Sequence, residues 1–270
     1  MKRLYPLGIL IGITILLLFI LLAIYYKKNN IVECLTAAPQ TEAINNLLII
    51  SCYFGKQQTK IFPAPHKKNC VFFTNNPNLK TDIINKGWNY IYVNEPLVDD
   101  SMISSLQAKY IKFLIFLKEY PEYDNNKTIV YADHKLQILP NALYEINKLI
   151  NDNLNKSVII HKSPGNKTKV YHEISEAMGQ ERYARNMHKT KLFVDNLIST
   201  GQISENVQIC STGLLIYINK DKIKDLITSV YNKCIEHQQP ECQIYWGVFS
   251  QKYEDQIKKI NWSDIKNIIS

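Results

Sequence analysis

The sequence lacks the short signatures of several large enzyme classes. It has no G-x-x-x-x-G-K-[ST], which argues against a P-loop phosphate site. No G-x-G-x-x-G follows an apolar run, so a dinucleotide-binding Rossmann site is unsupported, and there is no G-x-S-x-G of the kind that carries the nucleophile of α/β-hydrolases. The absence of C-x-x-C leaves zinc-ribbon and thioredoxin-type sites without support. These absences narrow the class of protein without choosing one.

Long runs of like charge are also missing. Lys and Arg number 32 against 24 Asp and Glu, a formal net charge of +8, yet no basic run exceeds two residues. A surface that follows a nucleic-acid backbone usually shows clustered Lys and Arg, so we expect no nucleic-acid partner. The basic balance still suits smaller anions, such as nucleoside diphosphates, acidic glycans or lipid headgroups.

Charged residues are absent from residues 4–26. A helix of that length crosses the roughly 30 Å hydrocarbon layer of a bilayer. A cleaved signal peptide, the alternative, would have a shorter apolar region and a small-x-small site after it. The pattern therefore predicts a short N-terminal tail (1–3), a transmembrane signal anchor (4–26), a polar stem (27–45) and one folded domain (46–270).

The orientation of this anchor is weakly determined, because basic residues flank the apolar run on both sides. The favoured prediction is a type II single-pass protein with its C-terminal domain in the secretory lumen, and the alternative is the cytoplasmic face. Glycosylation sequons begin at Asn126, Asn155, Asn166 and Asn261, which is compatible with a lumenal domain.

The six cysteines permit disulfides if the domain faces an oxidising compartment. They are Cys34, Cys52, Cys70, Cys210, Cys234 and Cys242. Cys52 and Cys70 lie in apolar runs and fit buried thiols equally well. Cys234 and Cys242 bracket a turn containing Pro240, and they are the pair best suited to a bridge.

Apolar runs and helical periods alternate along residues 46–270. The pattern predicts strands at 47–53, 70–74, 90–93, 128–132 and 157–161, and a strand at 207–217 broken by Thr212-Gly213. It predicts helices over 101–120, from Pro140, and over 171–179, 182–200, 220–237 and 243–251. Alternating strands and helices indicate an α/β fold with a mostly parallel sheet and helices on both faces.

Ligands in such sheets bind at the carboxyl ends of the strands, which directs attention to residues 53–56, 74–76 and 133–135. Asp133-His134-Lys135 is the sharpest of these features, because it directly follows an apolar strand. Asp133 is suited to a divalent metal that bridges a diphosphate, and Lys135 to the phosphates themselves. The alternative is that Asp133 caps the next turn while His134 and Lys135 are solvated.

Several motifs, in this order and spacing, resemble one family. They are Tyr53-Phe-Gly-Lys56, Cys70-Val-Phe-Phe-Thr74, Gly87-Trp88, Lys109-Tyr-Ile-Lys-Phe113, Tyr120-Pro-Glu-Tyr123, Tyr131-Ala-Asp-His-Lys-Leu-Gln-Ile138, His172-Glu-Ile-Ser-Glu-Ala177 and Glu241-Cys-Gln-Ile-Tyr-Trp246. Over about residues 46–262 the chain resembles the TOD1/MUCI70 glycosyltransferase-like family. The resemblance implies a GT-A-like fold and a nucleotide-sugar donor, with Mn²⁺ or Mg²⁺ as the cofactor to test.

The chain departs from that family at two points. His134 replaces a glycine beside Asp133, and the motif is Asp-x-Lys rather than the usual GT-A Asp-x-Asp, which puts metal dependence in doubt. Cys242 replaces the acid before Gln243, while Glu241 stands one step earlier. We therefore name Glu241 as the candidate catalytic base beside Asp133.

The remaining candidates each have a plain structural alternative. The candidates on the donor side are His134, Lys135, Lys56, Lys109 and Thr74. The alternative for these lysines, and for Lys112 on the same helix as Lys109, is a solvated surface. On the acceptor side the candidates are Gln243, Trp246 and Glu173, where Trp246 fits a core and Glu173, with Glu176, a solvated helix face. The predicted function is transfer of a sugar from a nucleotide sugar to a protein or glycan; the alternative is a non-catalytic anchored protein that binds glycans or nucleotides.

Overall fold

A seven-stranded sheet forms the middle of the fold in the computed structural model, which describes residues 46–66, 68–118, 128–165 and 167–270. The predicted anchor at 4–26, the stem at 27–45, Cys34, the 120–123 motif and the sequons at Asn126 and Asn166 lie outside the described residues. Within the described ranges, no helix is both long and apolar enough to span a membrane.

The sheet is mostly parallel. Its strands are β1 Leu47–Tyr53, β2 Cys70–Thr74, β3 Asn89–Tyr92, β4 Thr128–Ala132, β5 Val158–Lys162, β6 Cys210–Tyr217 and β7 Ile257–Ile260, in the order β3-β2-β1-β4-β6-β5-β7. Only β6 runs antiparallel to its neighbours β4 and β5, and all other pairs are parallel. The predicted sheet is therefore confirmed in its main feature.

Ten α-helices surround the sheet in the described ranges. They are α1 Lys80–Asn85, α2 Ser101–Phe113, α3 Ile115–Lys118, α4 Ala142–Asn151, α5 Val170–Ala177, α6 Glu181–Ala184, α7 Met187–Ser199, α8 Lys224–Glu236, α9 Cys242–Phe249 and α10 Trp262–Ile265. Short 3-10 segments cover Pro77–Leu79, Lys220–Ile223 and Ser250–Gln256.

Helices cover both faces of the sheet because successive residues of a buried strand point in opposite directions. Leu48 and Ile50 of β1 pack into a cluster with α2, α8 and α9. Leu47 and Ile49 pack into a second cluster with α4 and the C-terminal segment. A third cluster joins α5 and α7 to α9 and the segment before β6.

Several predicted boundaries are wrong. The helix predicted over 101–120 ends at Phe113, because Leu114 leaves the helical region with φ −123°, and a separate short helix follows. The interruption predicted at Thr212-Gly213 is confirmed on one side of β6 only: the register with β5 shifts there, from Ile160 opposite Leu215 to His161 opposite Ser211. The strand itself runs on through Gly213, whose carbonyl accepts the Asp133 N–H at 2.8 Å. The patterns did not predict α1, β7 or α10.

The predicted bridge between Cys234 and Cys242 is also wrong. The five described cysteines, Cys52, Cys70, Cys210, Cys234 and Cys242, are free and buried. Both members of the pair belong to helices whose apolar faces enter the core, Cys234 in α8 and Cys242 in α9. They pack there as small apolar side chains.

Candidate functional site

A cavity of about 410 Å³ opens at the carboxyl ends of β1 and β4. Its walls come from the turn after β1, one face of α2 along its whole length, the residues after β4 and the short helix α6. Five predicted site residues line it together: Lys56, Lys109, Asp133, His134 and Lys135. We call this the first cavity.

Asp133 lies at the floor of the first cavity, directly after β4. Because residues two apart on a strand face the same way, the Tyr131 hydroxyl reaches it and donates a hydrogen bond to Oδ1 at 2.7 Å. Lys112 Nζ pairs with the same oxygen at 3.1 Å. The other oxygen, Oδ2, would lie 3.4 Å from a Cβ at Gly213, so a glycine there leaves the carboxylate its room. Since 39% of the Asp133 side chain is exposed, it remains open to a ligand.

Helix α2 supplies the two cations closest to Asp133. Lys109 and Lys112 are three residues apart and so share one helix face. Lys112 is buried, with 3% of its side chain exposed, and its ammonium lies 4.9 Å from the centroid of the Tyr131 ring. The solvated-surface alternative for Lys112 is therefore wrong.

The charges of this cluster reinforce one another. Burial raises the pKa of Asp133, but Lys112 and Lys109 outweigh it and the net shift is downward. Burial lowers the pKa of Lys109, but the groups around its ammonium, Cys242 and Tyr183 foremost, raise it overall. The carboxylate of Asp133 is therefore held in its ionised form beside these two lysines.

His134 behaves as a neutral side chain. Burial lowers its pKa to about 4, against the opposing effect of Asp133. Its ring packs edge-on against Tyr53, with the centroids 4.8 Å apart. His134 therefore offers a neutral ring nitrogen to a ligand.

The first cavity carries a net positive charge. Its lining holds five basic side chains, Lys56, Lys109, Lys112, Lys135 and Arg182, and two carboxylates, Asp99 and Asp133. Lys56 pairs with Asp99 at 3.0 Å on the exposed rim. The remaining four cations share the lining with one carboxylate, Asp133, and two of them, Lys112 and Lys109, act on it directly. Arg182 was not predicted, because it lies on α6, far from Asp133 along the chain, and no local pattern marks it.

A second cavity, of about 250 Å³, adjoins the first at Tyr183, which lines both. It contains three predicted residues, Glu173, Glu241 and Gln243. Glu173 is 4% exposed; its Oε2 pairs with Lys167 at 2.7 Å and its Oε1 accepts a hydrogen bond from Gln243 Nε2 at 3.0 Å. The solvated-face alternative for Glu173 is therefore wrong.

Thr74 and Trp246 line neither cavity. Thr74 is fully buried, and its Oγ1 accepts the Asn76 N–H at 3.0 Å. The adjoining Asn75 accepts the Gly55 N–H at 3.0 Å, so the end of β2 braces the turn that walls the first cavity. Trp246 is a core residue with no exposed surface, and its Nε1 has no hydrogen-bond partner in the described ranges.

The side chains around Asp133 do not provide the set of ligands that would let the protein alone hold Mn²⁺ or Mg²⁺. Such ions prefer several oxygen ligands. In the described ranges no three His, Cys, Asp or Glu side chains are grouped to hold a metal. Asp133, the predicted ligand, already shares Oδ1 between Lys112 and Tyr131, with Lys109 close by. One oxygen of Asp133 is thus already shared between an ammonium and a hydroxyl, and the described residues supply no further carboxylate beside it.

Comparisons with known proteins do not assign a family. No family profile and no curated protein matches the chain, so the resemblance to the TOD1/MUCI70 family stays a prediction. The chain is similar to the apo crystal structure of mouse xyloside xylosyltransferase 1, with 6% identity, 79% of this chain and 84% of that chain covered, and a TM-score of 0.41.

Two further solved structures are similar. One is a glycosyltransferase involved in the glycosylation of the major capsid of PBCV-1, with 12% identity, coverage of 80% and 81%, and a TM-score of 0.39. The other is 4-diphosphocytidyl-2C-methyl-D-erythritol synthase from Anaerococcus prevotii, with 11% identity, coverage of 83% and 92%, and a TM-score of 0.33. At these identities and TM-scores the similarities do not identify an activity.

Proposed function

We propose that the protein is a membrane-anchored glycosyltransferase with a GT-A-like fold, which moves a sugar from a nucleotide-sugar donor to a protein or glycan acceptor. The observation that carries this proposal is the net positive first cavity, built around Asp133 at the carboxyl ends of β1 and β4. Open α/β sheets bind their ligands at that edge.

The first cavity suits the diphosphate of a nucleotide sugar. Its volume of about 410 Å³ lies in the range of small-molecule sites, which is roughly 300–1,000 Å³. Lys109, Lys135 and Arg182 line this cavity and are positioned to meet phosphate oxygens, while the buried Lys112 adds its positive charge beside Asp133. A site for a neutral ligand would not need this excess of cations.

These cations also give the cavity a chemical task. When the sugar leaves the nucleoside diphosphate, negative charge grows on the phosphate oxygen that departs. Fixed ammonium and guanidinium groups in a partly buried site stabilise that charge without having to reorganise. Asp133 holds Lys112 in place through Oδ1, while its Oδ2 is free to accept a hydrogen bond from a donor hydroxyl. The protein's own cations thus supply the role for which a metal was predicted.

The first test is donor binding by the full chain in detergent. Nucleoside diphosphates and nucleotide sugars are screened for a rise in melting temperature, which follows by mass action when a ligand binds the folded state alone. We expect a rise with at least one nucleotide, and no requirement for Mn²⁺. Asp133→Asn should weaken binding about tenfold, because the amide accepts a donor hydroxyl less strongly than a carboxylate and no longer holds Lys112. Asp152→Asn, which removes an exposed carboxylate after α4, should not change it.

Failure of every nucleotide to bind would contradict the proposal. Binding without release of free nucleoside diphosphate, in the presence of any acceptor tried, would instead favour the non-catalytic binding protein.

We also propose that residues 4–26 anchor the chain as a type II single-pass protein with residues 46–270 in the secretory lumen. The absence of charge over 4–26 supports the anchor. Asn155 and Asn261, the described sequon asparagines, are exposed. If the domain is lumenal, we expect the expressed protein to carry extra mass that a glycosidase removes. The double variant Asn155→Gln, Asn261→Gln should carry less of this extra mass. If sealed membranes do not protect residues 46–270 from added protease, the domain lies on the cytoplasmic face.

A further inference from the structure

The second cavity has the opposite charge to the first. Three carboxylates, Glu173, Glu176 and Glu241, line it against one cation, Lys167. Lys167 pairs with both Glu173 and Glu176, which leaves the charge of Glu241 uncompensated. Phosphate groups would be repelled here, so the ligand that fits is neutral or cationic.

Glu241 differs from its neighbours in being buried without an ion pair. Only 6% of the residue is exposed, and no described cation lies within ion-pair distance of it. Its Oε1 accepts the backbone N–H of Gln243 at 3.2 Å, which caps the start of α9. Its Oε2 has no partner in the described ranges and belongs to a side chain that lines the cavity. An unpartnered carboxylate oxygen that is open to a cavity can accept a hydrogen bond from a bound ligand.

Gln243 holds the two buried carboxylates in a fixed relation. Its backbone N–H donates to Glu241, and its side-chain Nε2 donates to Glu173 at 3.0 Å. Ser163 Oγ in turn donates to Gln243 Oε1 at 3.4 Å. Glu173 is thereby fully occupied, and Glu241 is the carboxylate with an oxygen to spare.

The two cavities are neighbours across one side chain. Tyr183 lines both, and its environment includes Lys109 from the first and Glu241 from the second. Burial raises the pKa of Tyr183, and the carboxylate of Glu241 raises it further, whereas the ammonium of Lys109 lowers it. Glu241 and Lys109 therefore both act on the Tyr183 side chain. Two ligands, one bound in each cavity, would therefore approach each other near Tyr183.

We infer that the second cavity binds an uncharged, hydroxyl-bearing acceptor and that Glu241 Oε2 takes the proton of its attacking hydroxyl. This inference rests on the proposed function and names the acceptor class for it. In the step, the acceptor O–H bond breaks and its proton passes to Glu241. The acceptor oxygen bonds to the anomeric carbon of the donor sugar, and the bond from that carbon to the phosphate oxygen breaks. The electron pair leaves with the nucleoside diphosphate, beside Lys109 and Lys112.

The binding part of the inference is tested with methyl glycosides as probes, on the full chain in detergent. Saturation-transfer NMR should show contact with neutral methyl hexosides and methyl pentosides, and none with methyl glucuronide, because the carboxylate of the latter meets Glu241. Equal contact with methyl glucuronide would overturn the acceptor class. This measurement needs no nucleotide, so it stands even if the proposed donor site fails.

The chemical part is tested by release of nucleoside diphosphate with donor and neutral glycoside present. Glu241→Gln should lower the acceptor-dependent rate about a hundredfold or more, the scale of general base catalysis. The amide oxygen can still cap α9, so the fold and the nucleotide-induced rise in melting temperature should persist. Glu181→Gln removes a carboxylate whose side chain is 90% exposed on the neighbouring helix α6, and it should leave the rate unchanged.

The outcomes separate the two proposals. An unchanged rate in Glu241→Gln, with nucleotide binding intact, would overturn the role of Glu241 and leave the donor site standing. Absence of nucleotide binding in the unaltered protein would overturn the donor site, while the glycoside contacts would still decide the second cavity.

Discussion

Lys112 shows how a single buried charge organises the candidate site. Its ammonium is almost fully enclosed, and such a charge needs partners to offset the loss of water. Asp133 supplies a carboxylate oxygen at 3.1 Å, and the face of the Tyr131 ring lies 4.9 Å away. Asp133 depends on Lys112 in turn, since the same lysine lowers the pKa of the Asp133 carboxylate and so holds it in its ionised form.

Removing this lysine should affect stability and donor binding together. Lys112→Met keeps the apolar stem and leaves Asp133 without its closest cation. We expect the free energy of unfolding to fall by about 2 kcal/mol, less than for a fully buried pair because the carboxylate is partly exposed. We also expect nucleotide affinity to drop about tenfold, or about 1.4 kcal/mol. Urea unfolding and titration calorimetry measure the two effects.

The matched control is Lys148→Met on the exposed surface of α4, which should change neither quantity. In Lys112→Met combined with Asp133→Asn, the lost stability should be about 1 kcal/mol smaller than the sum of the single losses, because the pair is coupled. Strict additivity would show that the ion pair does not contribute.

His134 should make the protein sensitive to acid. Its pKa is about 4 in the folded chain, below the unperturbed value near 6.5 that the unfolded chain retains. Below pH ~6.5 the unfolded state binds a proton that the folded state does not, so stability declines from there to pH ~4, by about 2–3 kcal/mol in total.

His134→Gln should remove that part of the decline, measured as the difference between variant and unaltered protein in urea unfolding at pH 7 and pH 5. His188→Gln, on the exposed face of α7, should follow the unaltered protein. Parallel pH curves for His134→Gln and the unaltered protein would show that the folded-state pKa of His134 is not depressed.

At the scale of elements, the position of α2 decides where the two lysines lie. Asp100 caps this helix: its Oδ1 accepts the N–H groups of Met102 and Ile103 at 2.8 and 3.1 Å. The same side chain pairs with Arg185, just after α6. One residue therefore fixes the start of α2 and ties it to the helix that carries Arg182 and Tyr183.

Asp100→Ala should lower the free energy of unfolding by about 1 kcal/mol, the usual effect of losing a helix N-cap. Asp100→Asn keeps a capping oxygen and should lose much less, although it abolishes the charge opposite Arg185. Chemical denaturation of the two variants side by side provides the measurement. Equal losses in both would mean that the ion pair, and not the cap, holds the helix start.

Element prediction found every strand that is buried on both faces, and also the half-exposed β3, but it missed the short strand β7. β1, β2 and β4 are continuous apolar runs, and their existence followed from the pattern. β7 reads Ile-Lys-Lys-Ile at the sheet edge, too short and too charged to stand out. The antiparallel direction of β6 left no trace in its sequence, because direction depends on where the chain returns to the sheet.

At the scale of the whole molecule, the described residues between 47 and 269 supply three apolar clusters that pack on both faces of the sheet and around α5, α7 and α9. A chain of residues 46–270 should therefore unfold in one cooperative transition, at a melting temperature within about 2 °C of that of the full chain. Calorimetry of both chains in the same detergent measures this. A broad, non-cooperative transition of the shortened chain would show that residues 1–45 contribute to the fold.

The sequence by itself determined the α/β class and the strand-end position of Asp133 and Lys135, because strands buried on both faces have a local pattern. It paired Glu241 with Asp133, whereas the two residues line different cavities. Only the tertiary structure decided that Lys112 is buried against Asp133, that Trp246 and Thr74 lie in the core, and that Arg182 and Tyr183 complete the cavity walls. Those placements depend on contacts between segments far apart along the chain, and no local pattern records which side chain such a contact will bury.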